Sequence, residues 1–422
     1  MTPCGVVIRP ALAAVPAEVA IRSKFINQEN GHKDNYTFVF YFLNMLNELV
    51  AFFRDIQLFE SVMLGVAGGI WLLLLIWSIL FGLRLAFRKA EASGASSVPI
   101  SVIVVERNEE ENLRKKLQGW LSMGYPDYEL LVVDDFSEDH SLTVVGMMRL
   151  QEPKLKMTGL NQETRYSAKL ARNLGMKAAS FDKVVFIQPD TLTPDNHWLP
   201  AMATAFSKNK EVAVGYTRFP RAKGYFHHLF RIESFYQQTE SMAFCLNGLP
   251  YVANEENIGF DRKAYFGING FAGKIGEEFL NLELVVNQII KKKNNALLLA
   301  GNTSLERDLV AGKQDFRELY YKAFVLNRYL PFGIRFLRWW INWLRAVFLP
   351  FFVVCIILFK PLWPVFAALI FILAVIRMVY LKRLLNRLSE SGIFVTSLLY
   401  GWLIPWIRIF TNWRFRYKRR NP

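Results

Sequence analysis

The chain has 422 residues, enough for a large core and more than one region. It is 52% hydrophobic with a mean hydropathy of +0.17, against the roughly 45–50% apolar usage of soluble domains. The formal charge of +15 admits nucleic acid, a membrane surface or an anionic small substrate as partner, while three scattered cysteines, Cys4, Cys245 and Cys355, exclude a disulfide framework and a zinc knuckle.

Residues 1–35 show no period, and Arg9 with the late onset of any apolar run argues against a cleavable signal peptide. Tyr36 to Phe53 is apolar and aromatic but broken by Asn44, Asn47 and Glu48. It reads as an interfacial helix or as an amphipathic helix packed on protein, closing an N-terminal extension of 1–58. Ser61 to Leu83 carries no charge and is long enough to cross a bilayer. Arg84, Arg88 and Lys89 follow it, so the span and basic flank of 59–90 place the chain beyond residue 84 in the cytoplasm. Glu91 to Val98 reads as a linker.

A soluble domain is expected over 91–330. Ile100–Val105, Leu130–Val133, Lys154–Gly159, Val184–Gln188 and Val212–Phe219 read as strands, the apolar runs being those of strands buried on both faces. Arg107–Leu117, with acids early and bases late, and Ser167–Ala179 read as helices. This alternation predicts an α/β fold with a mostly parallel sheet.

Membrane and interfacial segments are expected again over 331–422. Phe332–Phe348 mixes Trp and Arg in the manner of an interfacial helix. Ala346–Phe359 and Pro361–Ile376 read as a hairpin of two short spans, with Arg377, Lys382, Arg383 and Arg387 back in the cytoplasm. Ile393–Ile407 is short and contains Pro405. The basic tail of Arg414–Arg420 opposes a further span, so this segment reads as re-entrant or interfacial. The basic excess is therefore largely membrane orientation, and no zinc spacing, helix-turn-helix or RNP-like pattern supports nucleic acid.

Four polar stretches sit just past expected strands or in loops: Arg107-Asn108-Glu109-Glu110, Asp134-Asp135, Gln188-Pro189-Asp190 and Gly276-Glu277-Glu278. Ligands of open α/β sheets bind beyond the carboxyl ends of the strands. Clustered acids there suit Mg²⁺ or Mn²⁺ bridging a diphosphate, with a separate carboxylate as general base. His227-His228 reads as a packed helix face, since adjacent helical residues point apart, and Lys291-Lys292-Lys293 as a solvated basic face.

SVIVVERNEEENL, ELLVVDDFSED, SAKLARNLG, VVFIQPDTLTPDNHWL, ENIGFDRKAYFGINGFAG and GEEF follow in that order. Together they resemble glycosyltransferase family 2, over about residues 98 to 290, in its membrane-anchored bacterial form. The resemblance implies a cytoplasmic GT-A domain held at the inner membrane, using a nucleotide-sugar donor and a lipid-linked or cell-envelope glycan acceptor. It implies Asn108 and Glu109 at the nucleotide pocket, Asp135 holding the base of the nucleotide, and Asp134 supporting that loop. Arg172 and Asn173 would line the nucleotide and diphosphate. Asp190, with Gln188, would hold a divalent cation, Mg or Mn. Glu278, or Glu277 beside it, would take the proton from the acceptor hydroxyl.

The sequence departs from the family pattern at three places. Gln188 replaces the first acid of the Asp-x-Asp element, and the base position carries Glu where Asp is usual. The Gln-x-x-Arg-Trp element of processive synthases is missing, with Asp315 to Phe324 in its place and Arg317 and Lys322 as diphosphate partners. These departures keep open a second reading, a catalytically degenerate domain acting as a scaffold in an envelope assembly. A transport protein fits less well, because only one full-length span reads clearly.

Overall fold

The structure is a computed structural model that describes residues 43–45, 47–48, 57–89, 98–208 and 210–420. The helix expected over 36–53 and the linker after Lys89 fall almost wholly outside the described residues.

The first long helix, α1, is Leu58–Ala86. Its start is fixed by Glu60, whose carboxylate accepts from the Gln57 N–H at 3.1 Å. A six-residue π segment, Ser78–Leu83, lies near its end. The chain then alternates: β1 Ile100–Glu106, α2 Glu110–Leu121, β2 Tyr128–Asp134, α3 Ser141–Arg149, β3 Leu155–Gly159, α4 Ser167–Ala178, β4 Lys183–Ile187, α5 Trp198–Ser207, β5 Val212–Val214 and β6 Thr217–Arg218. There follow α6 Tyr225–Leu246, β7 Ile258–Asp261, α7 Arg262–Gly267, α8 Leu282–Ile289, β8 Asn295–Leu297, β9 Leu305–Glu306 and α9 Lys313–Tyr329. The last three helices are α10 Phe332–Leu358, α11 Trp363–Arg387 and α12 Phe394–Arg420.

The main sheet runs β3-β2-β1-β4-β7-β5-β8. Strands β1 to β4 are mutually parallel, β7 is antiparallel to both neighbours, and β8 returns parallel to β5. This is the mostly parallel α/β sheet expected. The single strand expected over Val212–Phe219 is instead two, β5 and β6; the second leaves the sheet to pair with β9. The break lies at Gly215, where a Cβ would fall 2.3 Å from the Asn257 side chain.

Every residue of β2 is buried, as is all of β1 except Val105, so helices must cover both faces. On one face α4 packs against the strands at Gly175, where a Cβ would meet Ile103 at 3.0 Å and Val133 at 3.1 Å. On the other, Trp120 and Trp198 are fully buried. Four parallel strands then end at one edge. Glu106 stands opposite Asp134 in the register, and Asp134 opposite Gly159.

Four helices are long and apolar enough to cross a membrane: Leu58–Ala86, Phe332–Leu358, Lys360–Arg387 and Phe394–Tyr417. The expected interfacial helix and first short span merge into the single helix α10. α1 meets α11 at Gly82, where a Cβ would come within 2.7 Å of the Tyr380 ring. Arg387 at the end of α11 donates to the Leu299 carbonyl at 2.5 Å and to the Arg88 carbonyl, joining both apolar helices to the loop after β8. α12 runs through Pro405 and lies along the sheet domain. Thr396 contacts His228 of α6 at 2.7 Å, the Ser397 carbonyl accepts from Tyr236 at 2.8 Å, and Phe415 rests on Tyr321 of α9 with ring centroids 5.1 Å apart. His227 turns the other way, with Pro220 and Ala311 as partners, so the two histidines do not converge.

Candidate active site

The first part of the site is built by the ends of β1 and β2. Burial, with Asp134 beside it, pushes the Glu106 carboxyl up to about 8. Asp134 accepts from the Ser137 N–H at 3.2 Å and so shapes the turn after β2. Asn108, in the left-handed region at φ 55°, ties the β1 loop to this turn. Its N–H donates to Ser137 Oγ at 2.9 Å, and its Oδ1 accepts from the Glu138 N–H at 2.7 Å. The Glu109 N–H donates to Ser141 Oγ at 3.0 Å, and its carboxylate accepts from Asn112 at 2.6 Å. Asp135 is buried, with Oδ2 accepting from Ser167 Oγ at 3.2 Å and Oδ1 without a hydrogen-bond partner among the described residues. Burial raises its pKa, against the pull of Arg107 and Arg172. A buried carboxylate oxygen with no donor calls for a ligand or water to supply one.

The second part centres on Glu255, in the loop before β7. Arg172 of α4 grips it bidentately at 3.1 and 2.8 Å. Burial alone would raise the Glu255 carboxyl, but Arg172 and Lys322 outweigh it and hold the group ionised. Its carboxylate also accepts from the Leu282 N–H at 3.4 Å, at the start of α8. One residue on, Glu283 is buried and accepts from the Asn281 N–H at 3.0 Å. Burial and the neighbouring Glu255 charge push its carboxyl up to about 7, against the opposing Lys322. Lys169, its pKa lowered by burial, donates to the Glu277 carbonyl. A general base is most effective with a pKa near the working pH, and Glu283, raised to about 7, meets that condition.

The third part is the end of β4. Arg307, just past β9, holds both oxygens of Asp190 at 2.7 and 2.9 Å and reaches Glu256 with its other nitrogen. Burial raises the Glu256 carboxyl despite that guanidinium. A divalent cation was expected on Asp190 and Gln188. Both Asp190 oxygens are occupied by Arg307, and Gln188 brings no charge. No group of three His, Cys, Asp or Glu converges on a metal site among the described residues. The residues present therefore do not fit a resident cation in this arrangement, and Arg307 supplies the positive charge there.

The remaining expected residues lie elsewhere. Asn173 accepts from the buried Tyr265 hydroxyl at 3.0 Å, which pins α7 to α4 rather than facing the pocket. Glu278 is half exposed and paired with Arg165 at 2.6 Å. Glu277 accepts from the Tyr329 hydroxyl at 2.9 Å on the surface. Glu255, Glu256 and Arg307 were not singled out from the sequence. The adjacent pair Glu255-Glu256, which precedes an apolar strand where Asp134-Asp135 closes one, is the available signal. Nothing local marks Arg307.

Residues 101–265 match the model of glycosyl transferase family 2. They form a family 2 glycosyltransferase domain. Glycosyltransferase AglE of Haloferax volcanii is 32% identical over 123 residues, 28% of this chain and 40% of that protein. Glycosyltransferase GlyG of Streptococcus pneumoniae is 25% identical over 129 residues, 30% of this chain and 42% of that one. The chain thus spans about two fifths of the length of the curated relatives it matches. Among solved structures, the mannosyltransferase PcManGT of Pyrobaculum calidifontis, in complex with GDP-Man and Mn²⁺, is 16% identical with a TM-score of 0.47, covering 84% of this chain and 96% of that one. The glycosyltransferase domain contains Asp135, Arg172, Asp190 and Glu255, whereas Glu283, Arg307 and Lys322 come from the chain beyond the matched residues.

Proposed function

We propose that the protein is a membrane-anchored inverting glycosyltransferase. It moves a sugar from a nucleotide-diphosphate donor to a lipid-linked or envelope glycan acceptor on the cytoplasmic side of the inner membrane. The domain of 91–330 carries the chemistry, and the segments of 59–90 and 331–422 hold it at the bilayer. The observation that carries this reading is the row of groups at one sheet edge: the half-unpaired buried Asp135, the cations Arg172, Lys322 and Arg307, and the buried acid Glu283. Asp135, supported by Asp134 and the Asn108–Glu109 loop, accepts from the base of the nucleotide. The cations offset the charge of the diphosphate. Glu283 takes the proton from the acceptor hydroxyl as its oxygen bonds to the anomeric carbon. The bond to the diphosphate breaks on the opposite face, which inverts the configuration. Glu283 replaces Glu278 and Glu277 in this role because it is buried and raised to about 7, whereas they lie on the surface.

Calorimetric titration of the purified chain with UDP and GDP tests the pocket. One nucleotide should bind with or without Mn²⁺, because Arg307 already faces Asp190, and Asp135→Ala should abolish binding. Unchanged affinity in that variant would remove the pocket. The clamped Asp190 and the uncharged Gln188 favour one alternative, a degenerate domain that acts as a scaffold. Failure of both nucleotides to bind a folded sample would select it.

A further inference from the structure

A cavity of about 70 Å³ lies where α6 of the sheet domain meets the four apolar helices α1, α10, α11 and α12. Four guanidinium groups line it: Arg338 and Arg345 of α10, Arg377 of α11 and Arg408 of α12. Glu240 of α6 is the one carboxylate among its lining residues. Glu240 holds Arg338 at 2.9 Å and Arg408 at 2.7 Å, and Glu233, two turns earlier on α6, adds a contact to Arg408 at 3.3 Å. These two acids balance those two arginines. Arg345 and Arg377 are left over, with no carboxylate partner among the described residues.

Neutral groups do not satisfy them either. A guanidinium carries five N–H donors and no acceptor. Arg377 gives one donor to the Tyr236 hydroxyl at 3.2 Å, and its Nε is buried without a hydrogen-bond partner. Arg345 makes no hydrogen bond among the described residues. It lies 5.7 Å from the centre of the Trp77 ring, and Arg377 lies 5.2 Å from that of Trp402. Aromatic rings offset part of the cost of a desolvated cation, but they leave its in-plane N–H groups unmet. Buried polar groups are expected to have partners, and cations among apolar helices mark a polar pathway or a counter-ion. The backbone makes room for the arrangement. A Cβ on Gly401 of α12 would collide with the Arg377 guanidinium. Across the cavity, Ser78, Phe81 and Gly82 form the wall, all within the π segment of α1, and such segments are frequent at functional sites.

Size and charge define the occupant. One water needs about 10–15 Å³ of such space, so the cavity takes roughly five waters or one tetrahedral oxyanion, and no acyl or prenyl chain. Two unbalanced guanidiniums match two negative charges, and each fork can take a pair of oxygens. We infer that the cavity binds one small inorganic dianion of tetrahedral shape, hydrogenphosphate or sulfate, as a structural counter-ion that ties α10 and α11 to α1 and α6. The site shares no lining residue with the sheet edge and holds whether or not the domain is a transferase.

The test is equilibrium dialysis of the purified full chain in detergent against radiolabelled sulfate or phosphate. Sodium gluconate keeps the ionic strength constant, and UDP and GDP are present to occupy the cations of the sheet edge. One ion per chain should bind saturably, and thermal unfolding should move upward over the same concentration range. Arg345→Gln with Arg377→Gln should weaken binding about tenfold, as expected for losing charge-assisted bonds. Gly401→Ala should weaken it about tenfold as well, by displacing Arg377 with the charge unchanged, and decides the matter if the double variant fails to fold. Arg335→Gln with Arg416→Gln removes the same charge outside this cavity and should bind as the parent does. Absence of saturable binding, indifference to the cavity variants, an equal loss in the outer pair, or equal protection by chloride would overturn the inference. So would a phospholipid in place of the ion, seen by native mass spectrometry as one phosphatidylglycerol per chain that Gly401→Ala releases.

Discussion

Glu283 owes its proposed role to two neighbours of opposite sign. Burial and the Glu255 charge raise its carboxyl to about 7, and Lys322 restrains that rise. Only the ionised form can accept a proton. Turnover at low substrate should therefore fall as pH drops through about 7, and Glu283→Gln should cost about 10²–10⁴ in kcat, the usual contribution of a general base. Glu278→Gln, at an exposed ion pair, should leave turnover within about twofold, since such pairs contribute little. A steady-state pH profile of the three proteins checks this, and a loss confined to Glu278→Gln would return the role to that residue. The site was only partly legible in the sequence. Asp134 and Asp135 stood out because a buried strand ended on two charges. Glu283 did not, because an acid at a helix start reads as an ordinary response to the helix dipole. Arg307 takes its meaning from β9, which brings it across to Asp190 from 117 residues away.

At the scale of elements, strands β1, β2 and β4 were plain from composition alone, being apolar runs buried on both sides. The antiparallel β7 was not, since its four residues, Ile258–Asp261, have the register of a neighbour they meet only in the fold. The junction of α10 was missed for a related reason: the Trp- and Arg-rich turns and the apolar turns belong to one continuous helix whose surroundings change along it. Close approach of α4 to the sheet makes a sharper demand. Gly175→Val would push methyls into Ile103 and Val133, already 3.0 and 3.1 Å from a bare Cβ. Overpacking of this kind costs about 1–3 kcal/mol and displaces Arg172 with its helix. Thermal unfolding should show the loss, and nucleotide affinity should drop in parallel. Gly146→Val on α3, where a Cβ meets nothing within 4 Å, is the matched control.

For the whole molecule, the basic flanks predict sidedness. Lys177 on the sheet domain and Lys360 in the turn between α10 and α11 are both exposed. If the helices cross the bilayer as their charges indicate, an impermeant thiol reagent added to intact cells should label Lys360→Cys and spare Lys177→Cys. Labelling of both or of neither would rule out the α10–α11 hairpin as a pair of spans. Cys4→Ser is the parent chain for both variants, because Cys4 precedes α1; Cys245 and Cys355 are buried and should contribute little background.

Arg387 has a consequence at this scale. By joining the end of α11 and the carbonyls after α1 to the loop after β8, it denies the domain a swinging stalk. If these helices cross a bilayer, the proposed catalytic edge would work at one altitude above it. A flexible tether would let the domain follow a growing chain outward; a fixed one measures it. Once a sugar had been added, the new terminus would stand one residue further from the proposed base Glu283, out of range. The fastening to the membrane would itself act as a ruler, ending the reaction after one addition.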